Sequence, residues 1–203
     1  MGELRLLPCD PSDAAEILAE QFAAFSSPNE PCFFILFPET EERDRAVKRM
    51  LDWWVGDESA TYVKAVDVDT GGSPTTIVSS VMRGAIVSAA KWCIYEKPLT
   101  DEQLHAKLHH LVLDMMSTHP AHQHRGAGSM LVKWGTDIAD AMGVDSFIEG
   151  TVIARPLYEK NGFVVSPNNW IVVPVPDKWK SRPEIRFFFY ERPARKSLQN
   201  KEI

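Results

Sequence analysis

Two glycines occupy a short turn in the second half of the chain, where their spacing suits the binding of an anion. The turn is Gln123–Gly128, of sequence Gln-His-Arg-Gly-Ala-Gly, and it connects the largely apolar run Leu111–Met116 to an amphipathic segment. The first turn of a helix has N–H groups without a partner inside the helix, and the helix dipole is positive there, so a negatively charged group is stabilised. Glycine lets that group approach the backbone closely. The pattern therefore predicts an anion site at a helix N-terminus.

The segment after the turn has the periodicity of a buried helix face. Its apolar side chains recur at three- and four-residue steps, and they are Ala127, Met130, Leu131, Trp134, Ile138, Ala141 and Met142. Two common phosphate motifs are excluded. A dinucleotide fingerprint requires a third glycine where the chain has Leu131, and no Gly-Lys-Ser/Thr sequence of a P-loop is present.

Three further features surround the turn. Pro120 precedes Gln123 by three residues, Phe147–Glu149 forms a second strand, and Leu157–Phe163 reads Leu-Tyr-Glu-Lys-Asn-Gly-Phe. Together with the Gln/Arg-x-x-Gly-x-Gly/Ala pattern of the turn, these features resemble the acyl-CoA-binding region of the GNAT N-acyltransferase superfamily. The resemblance covers roughly residues 110–165.

The resemblance implies a fold and a reaction. We expect one α/β domain over residues 1–203, with a mixed, mostly antiparallel sheet and helices on both of its faces. Parallel strands beginning near Leu111 and Asp145 should splay apart to admit acetyl-CoA. The implied reaction is transfer of an acetyl group from acetyl-CoA to a primary amine of a small molecule or peptide.

The resemblance also implies which residues contact acetyl-CoA. The N–H groups from His124 to Ser129 would hold the pyrophosphate, with Arg125 adding charge, and the backbone near Met116 and Thr118 would pair with the pantetheine arm. Many members have asparagine where this chain has Thr151, whose hydroxyl is the expected substitute. The predicted cofactor-binding residues are Met116, Ser117, Thr118, Gln123, His124, Arg125, Gly126, Ala127, Gly128, Ser129 and Thr151.

Three residues are candidates for proton transfer. Tyr158 matches the family tyrosine whose hydroxyl lies near the departing sulfur, and we expect it to be the general acid. A carboxylate within an apolar strand is costly unless it has a partner or a role, so Asp114 is the first candidate for the base. Asp114 also shares strand parity with Met116 and Thr118 unless a bulge intervenes. Glu149 is the second candidate, and some family members use no dedicated base.

Alternative interpretations remain open at this point. The chain could be a non-catalytic CoA-binding or interaction module with the same fold, or it could transfer to a hydroxyl or carry a longer acyl chain. The aromatic residues Phe33, Phe34, Trp53 and Trp54 either shape an apolar acceptor pocket or pack in the core.

Composition limits the partners. The formal net charge of −6 argues against general affinity for nucleic acid or anionic membranes. The start of the chain lacks a hydrophobic signal region and no apolar run is long enough to span a membrane, so we expect a cytoplasmic protein.

His105 and His109 have a spacing that can bind metal, but no zinc-hydrolase motif accompanies them, and we expect no metal. We expect a monomer, or a homodimer paired through the Trp170–Val175 edge.

Local patterns predict the remaining elements. Asp10 should cap a helix that begins at Pro11, and a second helix should begin at 40–43. Strands are expected at 3–7, 61–68, 85–95 and 184–190, with a strand extension within 75–84. A short helix is expected at 100–109, a polar break at 166–169, and a frayed tail at 192–203.

Overall fold

A computed structural model describes residues 2–68, 84–95, 111–172, 177 and 185–195, except for the side chains of residues 167–170. The helices are α1 (Ala14–Ser26), α2 (Pro31–Leu36), α3 (Arg43–Gly56), α4 (Ala127–Met142) and α5 (Arg155–Lys160). The strands are β1 (Leu4–Pro8), β2 (Ala60–Asp67), β3 (Ala85–Ile94), β4 (Leu111–Thr118), β5 (Ser146–Gly150), β6 (Val164–Val172) and β7 (Arg186–Arg192).

The strands form one seven-stranded sheet of order β1-β2-β3-β4-β5-β7-β6. Neighbouring strands are antiparallel except for β4 and β5, which are parallel. This arrangement confirms the predicted fold class, and it places β6, which contains Trp170, at an edge of the sheet.

The parallel pair is short. Its register runs only from Leu111 opposite Ser146 to Leu113 opposite Ile148, although β4 continues to Thr118. The register between β3 and β4 steps from Trp92 opposite Leu113 to Lys91 opposite Met115, so Asp114 is the extra residue of a β-bulge. A bulge bends a strand, and β4 and β5 separate beyond this point.

The two faces of the sheet have separate cores. One core contains Trp92, Leu131 and Tyr158 and lies under α4 and α5. The other contains Ile17, Phe33 and Met50 and lies under α1, α2 and α3. Burial of these apolar side chains is the main force that fixes the helices on both faces.

Helix α1 carries a buried carboxyl against the sheet. Glu20 is 4% exposed, and its Oε2 accepts a hydrogen bond from the Ser117 hydroxyl on β4. Burial raises the pKa of Glu20 to about 8, although the bond from Ser117 acts in the opposite direction. The carboxyl is therefore stable in this site mainly in its protonated form.

Local predictions near the N-terminus are confirmed. Asp10 accepts from Ser12 N and completes a capping box with Asp13, ahead of a 3-10 turn that leads into α1. The helix expected to begin at 40–43 is α3, which begins at Arg43, and β2 and β3 form the expected antiparallel pair.

Two predictions near the C-terminus need correction. The polar break at 166–169 is instead part of β6, which accommodates it as an irregular register between Val165 and Trp170. The frayed tail does not begin at residue 192, because Arg192 is in β7 and pairs with Asp140 on α4 at 2.7 Å. The predictions for 75–83, for the helix at 100–109 and for the tail beyond 195 lie outside the described residues.

We expect Glu20→Gln to make the protein more stable at alkaline pH. The folded pKa of Glu20 lies above its unfolded value of about 4.3, so wild-type stability falls as pH rises through the interval up to about 8. The variant lacks this loss, and its advantage in free energy of unfolding should reach about 2 kcal/mol or more by pH 8.5.

Urea denaturation at pH 4, 6 and 8.5 measures this difference. Glu39→Gln removes an exposed carboxylate and is the control. A difference between Glu20→Gln and wild type that stays constant with pH would contradict the assignment.

Candidate active-site cleft

A cleft of about 1050 Å³ passes the region where β4 and β5 separate. Residues from α1, α2 and α3 line it on one face of the sheet, and residues from the glycine turn, the start of α4 and α5 line it on the other. With one exception, every predicted cofactor-binding and proton-transfer residue lines this cleft. The exception is Arg125.

The glycine turn has the backbone geometry of an anion site. His124 and Gly126 have φ angles of 61° and 96°, in the left-handed region that glycine adopts without strain. Gly126 is the N-cap of α4, and no side chain caps the first turn of that helix. A Cβ at Gly126 would meet nothing within 4 Å, so space lies open beside the turn. The N–H groups at the start of α4 are thus available to a ligand.

Arg125 fixes the glycine turn through side-chain contacts inside the fold. Its guanidinium donates to Asp67 on β2 and, at 2.8 Å, to the carbonyl of Gly2, and it lies 2.8 Å from His122 Nδ1. Asp67 is 1% exposed, and a carboxylate at this depth requires a cationic partner. The prediction that Arg125 adds charge to the anion site stays a prediction, and in the structure the guanidinium contacts Asp67 and Gly2 rather than lining the cleft.

Strand β4 presents backbone groups to the cleft. His119 N bonds the carbonyl of Val87 on β3, and alternate residues of a strand direct their N–H and C=O to opposite sides. The backbone groups of Met116 and Thr118 therefore face the gap toward β5. The Ser117 side chain contacts Glu20 instead, and the Thr118 hydroxyl lies 2.8 Å from that of Ser88.

Tyr158 is a residue of α5, and its side chain is deeply buried against the sheet. Its ring meets Phe163 and Tyr190 edge to face, at centroid distances of 6.2 and 5.1 Å. Gly150 makes room for the ring, since a Cβ there would lie 2.5 Å from Tyr158 Cε2. Burial, and secondarily Tyr190, raises the pKa of the Tyr158 phenol above its usual range. Among the described residues its hydroxyl has no hydrogen-bond partner, so it is protonated and available to a ligand.

Thr151 follows β5 directly and lines the cleft. Its carbonyl accepts a hydrogen bond of 3.3 Å from the Tyr190 hydroxyl. This bond fixes the backbone at the end of β5, next to the predicted catalytic tyrosine.

Both carboxylate candidates lie at the cleft, but Asp114 does not lie on the face of β4 that we expected. The bulge reverses the parity of β4, because Leu113 and Met116 pack in the same core while Met115 contacts α1. Asp114 therefore does not share a face with Met116 and Thr118, and it pairs instead with Lys91 at 3.0 Å. Burial, and secondarily Asp114, raises the pKa of Glu149 above its ordinary value.

The α1–α3 side of the cleft is largely apolar. Of the four aromatic residues whose role the sequence left open, Phe33 and Trp53 line the cleft, whereas Phe34 packs edge to face against Phe33 and Trp54 stacks on Tyr62 at 3.9 Å. Other lining residues on this side went unrecognised in the sequence, and they include Gln21, Met50, Tyr62 and Lys91. One signal was available, because Lys91 is the single charge in β3.

Two of the described histidines, His119 and His122, have structural contacts. His119 Nδ1 accepts from Ala121 N at 3.2 Å and so caps the 3-10 turn before the glycines, and His122 contacts Arg125. His105 and His109 lie outside the described residues. Across the described ranges no group of three or more His, Cys, Asp or Glu is arranged to hold a metal. Nor does any described helix have the length and apolarity needed to cross a membrane.

The arrangement defines a chemical capability. It offers an anion site at the turn, a strand edge for an extended ligand, a buried phenol, and carboxylates beside an apolar pocket. These parts fit a phosphate-bearing ligand with an extended arm that delivers a reactive group to a second molecule.

Comparisons with known proteins agree with this capability. The family model described as "Acetyltransferase (GNAT) family" matches residues 15–163. None of the curated proteins gives a significant match.

Solved structures share the fold at low sequence identity. A histone acetyltransferase HPA2 and related acetyltransferase from Corynebacterium glutamicum is 20% identical, with 98% of this chain and 100% of that chain covered and a TM-score of 0.62. An acetyltransferase from Salmonella typhimurium, solved with its cofactor acetyl-CoA, is 17% identical over 95% and 94% of the two chains, with a TM-score of 0.57. The ribosomal-protein-S18-alanine N-acetyltransferase from Escherichia coli is 13% identical over 99% and 100%, also with a TM-score of 0.57.

We expect Gly150→Ala to disturb the cleft through Tyr158. The added methyl would lie 2.5 Å from the Tyr158 ring and 3.1 Å from that of Tyr190, both of which are buried. Overpacking of this kind costs about 1–3 kcal/mol of stability, measurable by urea denaturation and by the near-UV circular dichroism of the tyrosines.

Gly56→Ala is the control, since a Cβ there meets nothing within 4 Å. It should leave stability within about 0.5 kcal/mol of wild type or raise it slightly. Equal effects of the two substitutions would show that Gly150 has no special role in seating Tyr158.

Proposed function

The chain belongs to the GNAT acetyltransferase family, and from that premise we propose that it transfers an acetyl group from acetyl-CoA to a primary amine. One observation supports this proposal most strongly. The open N-terminus of α4, the free edge of β4 and the Tyr158 hydroxyl all line a single cleft. These are the groups needed to hold the two ends of acetyl-CoA and to protonate its sulfur.

We propose that acetyl-CoA binds along this cleft as an extended ligand. Its pyrophosphate is received by the N–H groups of residues 124–129, where the helix dipole favours negative charge. Its pantetheine arm pairs with the Met116 and Thr118 backbone, as an added strand would. Arg125 contributes indirectly, because its contacts with Asp67 and Gly2 fix the turn.

The chemical step follows from this placement. The amine nitrogen attacks the thioester carbon, so a C–N bond forms and the C–S bond breaks. An N–H of the β4 edge polarises the carbonyl oxygen as negative charge develops on it. The departing thiolate takes the proton of the Tyr158 hydroxyl, and the nitrogen loses its own proton to a base.

Glu149 is the better-placed base of the two candidates. Its raised pKa brings it closer to the working pH, and proton transfer is most efficient under that condition. Asp114 is already paired with Lys91 at 3.0 Å, so its carboxylate is engaged by a cation. Asp114 therefore acts through its charge on the ammonium and on Glu149 rather than as the proton acceptor.

We expect Ser129→Glu to weaken acetyl-CoA binding without unfolding the protein. Ser129 lies in the first turn of α4 and lines the cleft. A carboxylate there repels the pyrophosphate, but it also interacts favourably with the helix dipole, so thermal stability should not fall. Calorimetric titration should show at least a tenfold weaker Kd, equivalent to about 1.4 kcal/mol.

Ala141→Glu is the matched control. It adds the same charge at an exposed position near the other end of α4, outside the cleft. Its Kd for acetyl-CoA should stay within twofold of wild type. Failure of well-folded wild type to bind acetyl-CoA would exclude the enzyme and leave an interaction module with this fold.

We expect Tyr158→Phe to lower kcat by about 10²-fold. The ring is retained, so its packing against Phe163 and Tyr190 and the KM for acetyl-CoA should change little. Thiol release from acetyl-CoA in the presence of an amine measures the rate. A kcat within twofold of wild type would assign Tyr158 a packing role only.

A further inference from the structure

We propose that the acceptor is a primary ammonium on an apolar body, with no carboxylate beside the amine, and that Gln21 positions its nitrogen. This inference rests on the proposed acetyl transfer and specifies the acceptor. It is drawn from the charges, the apolar wall and one buried amide on the α1–α3 side of the cleft.

The charges at this side of the cleft are mainly negative. Lys91 Nζ lies 2.9 Å from Asp57 and 3.0 Å from Asp114, so its single positive charge is shared by two carboxylates. Burial lowers the pKa of Lys91, but Asp114 and Asp57 more than compensate, and the lysine stays charged. Glu149 adds a third carboxyl that Asp114 influences.

The other charged groups nearby leave this balance unchanged. Glu30 also lines the cleft and is acidic. Arg49 is held by Glu41 and lies over the Phe37 and Trp53 rings at 5.1 and 5.8 Å, and it is not among the lining residues. Lys160, another described cation that lines the cleft, lies on α5 and so on the other face of the sheet. On the α1–α3 side an incoming ammonium is therefore attracted, and an incoming carboxylate meets carboxylates that already hold Lys91.

An apolar wall continues from this acidic region. Phe33 and Phe37 are each 2% exposed and Met50 is 4% exposed, while Trp53 remains 44% exposed at the rim. Arg49 already lies over two of these rings, and an alkyl or aryl group that packs against the wall gains burial. The wall thus fits the body of the acceptor rather than its charge.

Gln21 supplies an independent indication of a polar ligand. It is 4% exposed and lines the cleft, and its Nε2 contacts Met115 Sδ at 3.3 Å. Its Oε1 is buried and has no hydrogen-bond partner within the described part of the chain. A buried carbonyl oxygen without a donor is costly, and an N–H of the acceptor would satisfy it. Met115 is the neighbour of Asp114, so the amide and the carboxylate serve the same end of the ligand.

Matched amines test the acceptor class. With wild-type protein and saturating acetyl-CoA, we expect kcat/KM for 2-phenylethylamine to exceed that for L-phenylalanine at least tenfold. L-phenylalaninamide lacks the negative charge and should recover most of this difference. Ethylamine, without the ring, should be at least tenfold poorer than 2-phenylethylamine. Equal or better turnover of L-phenylalanine than of its amide would overturn the proposed class.

Two glutamine variants test the role of Gln21. Gln21→Met keeps the side-chain length without the amide, and we expect it to raise KM for 2-phenylethylamine about tenfold while KM for acetyl-CoA stays within twofold. Gln123→Met makes the same change at the glycine turn, where it should affect KM for acetyl-CoA instead. An unchanged amine KM in Gln21→Met would overturn the assignment.

The source of the selectivity is tested by Asp114→Asn. The preference for 2-phenylethylamine over L-phenylalanine should fall at least threefold in this variant, whatever the absolute rates, because Lys91 then has charge to share with a substrate carboxylate. Glu39→Gln removes an exposed carboxylate outside the cleft that does not pair with Lys91, and it is the control. An unchanged ratio in Asp114→Asn would overturn this part of the inference.

Failure of the acceptor class can be distinguished from failure of the proposed function. Acetyl-CoA binding without thiol release for any amine overturns the acetyl transfer itself. Transfer that favours L-phenylalanine overturns only the acceptor class. If a variant does not fold, calorimetric titration of CoA-bound wild type with 2-phenylethylamine and L-phenylalanine gives the same comparison, and tighter binding of the amino acid would overturn the inference.

Discussion

The separation of β4 from β5 is the constraint on which the rest of the structure depends. The two parallel strands pair for three residues and then part at the bulge on Asp114. Backbone N–H and C=O groups need partners wherever water is excluded, and none of the described strands lies across the gap from the edge at Met116 and Thr118. In the function proposed above, an extended ligand supplies these partners, and the sheet itself is then a substrate-binding element.

The glycine turn lies beside this gap because α4 is held close to the sheet. A Cβ on Gly135 would lie 2.2 Å from Trp92 Cε2, so the helix approaches the sheet at a distance that only glycine permits. The Trp92 indole N–H also donates to the carbonyl of Leu131 at 3.2 Å. From the other side, Arg125 joins the turn to Asp67 on β2. These long-range contacts direct the open helix N-terminus toward the end of β4.

Local patterns in the sequence predict much of this arrangement. Where the sequence predictions differ from the structure, the differences have physical causes. The turn, the period of α4 and the position of Tyr158 depend on neighbours in the chain, and the structure agrees with the predicted elements. The face of Asp114 and the direction of Arg125 depend on distant residues. A bulge reverses strand parity without a sequence signature, and nothing near Arg125 indicates that Asp67 requires its charge. The position of Gln21 in the cleft could not be predicted either, because it depends on the contact of Gln21 with β4, which is distant in the sequence.

Hydrogen exchange on addition of CoA tests the central claim most directly. The account holds that the ligand occupies the β4 edge and the turn before α4 in one binding event. It predicts that CoA slows exchange of the amides of residues 116–118 and of 124–129 together, at the same concentration midpoint. Protection confined to other segments, or binding without protection of either segment, would contradict the account.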